Sequence, residues 1–168
     1  MIMGAATRKF VLVVHITSSL GLLGAVVSFL ALAIVGLISA DPDTARASYV
    51  SMDAIAWFVI LPLAVVTLLI GLIQSLGTAW GVFRHYWVLA KLVVAIFVIL
   101  ILSLQMGMIS EVAEAARQGL LAPTLFEARL SMVVHAGGGL LVLLIPAALS
   151  VYKPRGKTRY GRRMEHAG

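Results

Sequence analysis

The sequence predicts an all-α polytopic membrane protein, with four transmembrane helices in an up-down-up-down bundle and both termini cytoplasmic. Three observations carry that expectation. Hydrophobic residues fill 61% of the 168 positions, and the mean hydropathy is +1.05. Charged residues make up only 12%, where a soluble domain carries roughly a quarter. The charges, 13 Lys and Arg against 7 Asp and Glu, gather between four long apolar runs. A water-soluble enzyme and a disordered chain are both excluded. The absence of Cys removes disulfide staples, thiolate metal sites and cysteine nucleophiles.

The apolar runs cover about 10–38, 54–79, 86–109 and 130–152, and Lys91 is the one charged residue inside them. Each exceeds the ~20 residues that a helix needs to cross the hydrocarbon. Backbone groups in lipid must pair internally, so such runs are helices. The short alternating segments of a membrane β-barrel are missing. The first run, preceded by Arg8 and Lys9 and followed by Ile38-Ser39-Ala40, mimics a secretory signal. It far exceeds the ~7–15 residues of a signal's apolar region and is expected to be retained. Asp41-Pro42-Asp43 is expected to turn the chain after it. Gly77 to Arg84 forms a tight hairpin between the second and third runs. In the longest link, 110–129, Glu111–Gln118 is expected to form a short surface helix, broken by Gly119 and Pro123. Pro62 and Pro146 are expected to bend their helices. The chain thus divides into a transmembrane domain, 1–152, and a basic tail, 153–168.

Orientation follows from the basic residues. Arg8, Lys9, Arg84, Lys91 and the tail residues Lys153, Arg155, Lys157, Arg159, Arg162 and Arg163 fall on one side; Arg46, Arg117 and Arg129 fall on the other. The positive-inside rule makes the first side cytoplasmic. Trp57, Trp80, Trp87, Tyr86 and Tyr152 stand at span ends, as an aromatic belt does. The tail produces the pI of about 10.2. Beside a membrane helix it suits anionic lipid, at ~1 kcal/mol per basic residue. Nucleic acid is not expected, since Tyr160 alone makes a poor stacking platform.

In lipid the informative side chains are polar, because each needs a partner, water or a route to the interface. One layer, on the cytoplasmic side, contains His15, Ser18, Ser19, Gln74, Thr78, His85 and Lys91. His15, Gln74 and Lys91 lie roughly 8–10 Å from a span end. They suit either interhelical contacts with a snorkelling lysine or a pocket for an anionic group, such as a haem propionate, lipid phosphate or small acid. The other layer holds Asp53, Gln105, Met106, Met108, Met132 and His135. Met132 and His135 share a helix face. The following Ala136-Gly137-Gly138-Gly139 lets a second helix, or a flat macrocycle, approach closely.

Intramembrane histidines are candidate axial ligands for a b-type haem. Pairing His15 with His135 meets a depth mismatch of ~10–15 Å; His15 with His85, or His135 with a methionine, are the alternatives. Lys91 or Arg84 would meet the propionates. Phosphate loops, zinc-protease motifs and intramembrane acids are missing, so the chain is not expected to be an enzyme by itself. The second functional class is a non-catalytic accessory or transport-related subunit, acting through helix contacts with a partner subunit or a second copy.

The segment from Gly71 to Lys91 (GLIQSLGTAWGVFRHYWVLAK), His15, Val134-His135-Ala-Gly-Gly-Gly139 and the Tyr152-Lys-Pro-Arg-Gly156 tail resemble a group of uncharacterised bacterial four-helix integral membrane proteins. More distantly, a histidine followed by small residues is similar to the membrane domains of copper-resistance D-type proteins and b-type cytochromes. The first resemblance implies the four-helix fold and assigns no residue a role.

Overall fold

The structure, a computed structural model, describes residues 3–78, 81–154 and 156–166. Position 79 at the end of the second run, Trp80, Arg155 and the Tyr160 side chain lie outside what it describes. The described chain is all helical: α1 (Ala5–Ile38), α2 (Pro42–Ile55), α3 (Leu61–Leu76), α4 (Tyr86–Arg117), α5 (Phe126–Tyr152) and α6 (Arg159–His166). Four helical spans are long and apolar enough to cross a membrane, with mean hydropathies of 2.6, 2.7, 2.8 and 2.1 in chain order.

The second span is one rod, Pro42–Leu76, that begins well before the apolar run. The chain turns at 39–41, as expected, and Asp41 caps the helix that follows. Its carboxylate accepts from the Thr44 amide at 3.0 Å and the Asp43 amide at 3.4 Å. Pro42 fills the first helical position, where no N–H is needed. The Thr44 hydroxyl, then the amides, hold the Asp41 carboxyl below its ordinary range. The cap's contribution is therefore present at neutral pH and is lost only as pH falls through that lowered value. Asp41→Ala should lower the midpoint of thermal unfolding at pH 7, with the difference from wild type shrinking in acid. The buried face of α2, Ala45, Ser48, Tyr49 and Met52, has helical spacing.

A single π-helical turn, Ala56–Ile60, joins α2 to α3. Pro62, just beyond, cannot donate a backbone hydrogen bond, and the Leu61 N–H reaches back five residues to the Ala56 carbonyl. The third span also runs past its apolar segment. Glu111–Gln118 is no separate surface helix: α4 continues unbroken to Arg117 and stops at Gly119, whose φ of 73° suits glycine.

Leu22, Val26, Phe29 and Ala33 form one stripe of α1 and pack against Tyr49, Met52, Ala56, Ile60, Ile109, Val112, Ala116 and Met132. A Cβ added at Gly21 would stand 3.4 Å from the Leu63 side chain, so α1 packs against α3 at this small position. Large apolar side chains such as Phe10, Phe58, Leu104, Leu141 and Val151 are exposed. A water-soluble monomer rarely tolerates such continuous apolar surface, and lipid accommodates it.

At one end of the bundle the Met3 amide donates to the Gly77 carbonyl at 3.0 Å, and the Thr158 amide to the Arg84 carbonyl at 3.0 Å. The start of α1, the α3–α4 connection and the segment after α5 therefore meet there, at what we call the termini end. The basic tail is folded onto this end. The Thr158 hydroxyl donates to the Phe83 carbonyl at 2.5 Å and accepts from the Gly161 amide at 3.1 Å. A Cβ at Gly161 would collide with the Arg84 carbonyl. Gly161→Ala is expected to release the tail, with trypsin cutting at Lys157 and Arg159 sooner than in wild type; an unchanged cleavage rate would contradict this docking.

Candidate functional site

Each of the four spans contributes a polar side chain to a layer near the termini end. His15 on α1 lies against Gly71 of α3, so closely that a Cβ there would stand 3.1 Å from the ring. Thr67 and Gln74 flank Gly71 on the same face, one turn to each side. The Thr67 backbone carbonyl takes the ring's hydrogen bond, and Lys91 of α4 is close enough for its charge to act on His15. The Lys91 ammonium donates to the Ser150 hydroxyl of α5 at 2.6 Å and lies 5.5 Å from the Trp87 ring. Ser150 in turn donates to the Pro146 carbonyl at 2.8 Å. Three buried atoms in this layer lack a protein partner: His15 Nδ1, Thr67 Oγ1 and Gln74 Oε1. Ser18 and Ser19 spend their hydroxyls on the His15 carbonyl. His85 is held at the α3–α4 connection, where it pairs with Lys157 and its ring lies 6.3 Å from that of Trp87.

The second place is a half-enclosed cleft of about 340 Å³ between α4 and α5, floored by α1 and α3. Phe97, Ile101, Gln105 and Met108 line one wall; Met132, His135, Gly138 and Gly139 line the other. The glycines after His135 do not admit a neighbouring helix. A Cβ added at Gly137, Gly138 or Gly139 would meet nothing within 4 Å. Small side chains there leave a space open, where sequence alone allowed either a packed helix or a flat ligand.

His135 Nδ1 lies 2.8 Å from its own helix's Ser131 carbonyl and 3.0 Å from the Ser131 hydroxyl. Donation from Nδ1 to the carbonyl leaves Nε2 as a bare lone pair for the cleft. Gln105 Nε2 is buried without a partner. An unmade buried hydrogen bond of this kind costs about 1–3 kcal/mol, which an acceptor brought by a ligand to Nε2 would offset. His15 does not line the cleft that His135 lines.

The end opposite the termini is tied by charge. Asp53 accepts from Arg117 at 2.9 Å and from the Ser110 hydroxyl at 2.8 Å, and Ser110 accepts from Trp57 Nε1 at 3.1 Å. Arg129 of α5 donates to the Tyr49 hydroxyl and to the Gly36 carbonyl, both at 2.8 Å, and its guanidinium lies 5.2 Å from the Tyr49 ring. Sequence reasoning singled out Asp53 here and missed Tyr49, Ser110, Arg117 and Arg129. Their partners are 53 or more positions away, and no local pattern announces such pairs. Arg117 and Asp53 form a structural tie with no open face on the cleft.

Among the described residues no group of three or more His, Asp or Glu side chains is placed to hold a metal ion. No family model matches the chain, and no curated protein or solved structure is detectably similar to it.

Proposed function

We propose that this chain is a multi-pass protein of the bacterial inner membrane, its four spans running up and down with both termini cytoplasmic, that takes a lipid-soluble ring from the bilayer into the α4–α5 cleft. The observation that carries this reading is the unpartnered Gln105 amide in an otherwise apolar cleft beside His135. Pockets for apolar ligands combine mostly hydrocarbon walls with a few placed polar groups. A quinone or quinol fits those groups: a quinone carbonyl accepts from Gln105 Nε2, and a quinol hydroxyl donates to His135 Nε2. Phe97 and His135 at the rim are exposed, so the mouth opens on the outer face of the bundle, where such a ligand dissolves. The chain acts by binding, in a redox-sensing or carrier-holding role, and not as an enzyme by itself.

A b-type haem is the second reading, and the His135 geometry favours it, because a metal-ligating imidazole commonly fixes its other nitrogen on a carbonyl. Met108 on the facing wall is a second soft donor. The rest of the cleft fits haem poorly, since its lining includes no Lys or Arg to meet the propionates. An uncharged ring matches the lining better.

The test is equilibrium binding of a short-chain prenylated benzoquinone to protein in lipid nanodiscs. Gln105→Leu is expected to weaken binding about tenfold, the factor that corresponds to one lost hydrogen bond of ~1.4 kcal/mol, and His135→Phe to weaken binding of the reduced quinol by the same factor. A visible spectrum of protein from haem-replete cells separates the second reading: a Soret band that disappears in His135→Phe would replace the quinone with haem. Binding of neither would leave the accessory-subunit reading.

A further inference from the structure

The polar layer at the termini end has no part in the cleft, and its chemistry is different. Lys91 stands about one and a half turns into α4, and its identified partners, Ser150 and the Trp87 ring, are neutral. The ion pairs among the described residues, Arg46–Asp43, Arg117–Asp53 and Arg117–Glu114, are all at the opposite end. Apart from Glu165 in the tail, the acidic residues lie at 41–53 and 111–127, remote in sequence from this layer. An ammonium in a membrane span is expensive unless a counter-charge meets it. Among the described residues no acidic side chain pairs with Lys91, so a ligand can bring the counter-charge.

The unpartnered atoms define that ligand further. The ring hydrogen bond of His15 goes to the Thr67 carbonyl, which leaves Nδ1 as a bare acceptor. Gln74 Oε1 is a second bare acceptor, and Thr67 Oγ1 accepts or donates. Gly71 holds the imidazole between them. Acceptors want hydrogen, while Lys91 wants negative charge. A carboxylate or sulfate supplies charge and no hydrogen. Water supplies hydrogen and no charge. A hydrogen-phosphate group supplies both: its unprotonated oxygens face the ammonium, and its O–H donates to His15 Nδ1 or Gln74 Oε1.

We propose that His15, Thr67, Gln74 and Lys91 form a binding site for a protonated phosphate monoester or free hydrogen phosphate near the cytoplasmic face. The same chemistry is available from a phosphatidate headgroup and from soluble phosphate, and the experiment separates them. Protein in phosphatidylcholine nanodiscs is titrated with inorganic phosphate, then with sulfate, while thermal unfolding is followed; a second set of discs carries phosphatidate. Stabilisation by inorganic phosphate assigns a soluble source, and stabilisation only in phosphatidate discs assigns the lipid. In either case sulfate leaves the unfolding midpoint where it was.

Lys91→Gln is expected to weaken the apparent affinity at least tenfold. Gln74→Leu, which keeps every charge, should do so by several-fold and guards against a Lys91 variant that fails to fold. Neutralising Arg162 and Arg163 in the tail should leave the effect intact. The proposal is overturned if sulfate stabilises as well as phosphate, if the tail variant alone abolishes the effect, or if neither phosphate nor phosphatidate acts. The cleft proposal stands or falls separately, because its quinone probe carries no phosphate.

Discussion

Tyr49→Ala is expected to lower stability by about 3–5 kcal/mol, the range for emptying a buried aromatic site, and to cause the largest loss of any single substitution considered. Tyr49 is 1% exposed. Its ring lies against Gly36 so tightly that a Cβ there would stand 2.8 Å from the ring carbon. Its hydroxyl accepts from Arg129, which also donates to the Gly36 carbonyl. One side chain of α2 thereby closes α1 and α5 together. Tyr49 also belongs to the polar stretch before the apolar run, so water is its reference solvent and the water-based magnitude applies. Tyr49→Phe separates packing from hydrogen bonding: it keeps the ring and strands the Arg129 donor, for a smaller loss of about 1–3 kcal/mol. Thermal unfolding in nanodiscs checks both. Equal losses in the two variants would mean that the ring's packing contributes nothing.

The second large effect concerns function, and it separates two kinds of glycine. Gly138→Leu should leave the fold intact, because its new Cβ meets nothing within 4 Å, and should fill the cleft. Binding of the short-chain benzoquinone is expected to fall at least tenfold with an unchanged unfolding midpoint. Gly36→Val should behave in the opposite way, because overpacking against Tyr49 costs about 1–3 kcal/mol, while the distant cleft keeps its walls. A Gly138→Leu variant that unfolds early would show that the glycine run is packed and the cleft is closed.

Much of this architecture was legible in the sequence because lipid makes a simple demand: long apolar runs, charges kept between them. The four spans and Lys91 followed from that alone. Residues 42–53 do not read as helix, because Asp43, Thr44, Arg46, Ser48 and Ser51 look like a loop. The signal was there, in the Asp41 cap, the proline at the first position and the Ala45, Ser48, Tyr49, Met52 stripe. Glu111–Arg117 was cut from α4 for a related reason: charge marks where lipid ends, and a helix need not end with it. The polar layer of His15, Gln74 and Lys91 was visible by depth, and the structure adds Thr67, Gly71 and Ser150. Depth along one helix says nothing about which face its neighbours present. The glycine run after His135 shows the same limit, since small side chains allow close packing and empty space equally. Depth sets His15 and His135 apart, and the two histidines sit in different surroundings, one beside Lys91 and one lining the cleft.

The most direct measurement is photolabelling with an azido-benzoquinone in nanodiscs, with adducts mapped by mass spectrometry. Labels confined to the α4 and α5 peptides that carry Gln105, Met108 and His135, and displaced by excess unlabelled quinone, are the expected result. Labels scattered over lipid-facing residues such as Phe10, Leu69 and Val151, and indifferent to competitor, would contradict a ligand site in the cleft.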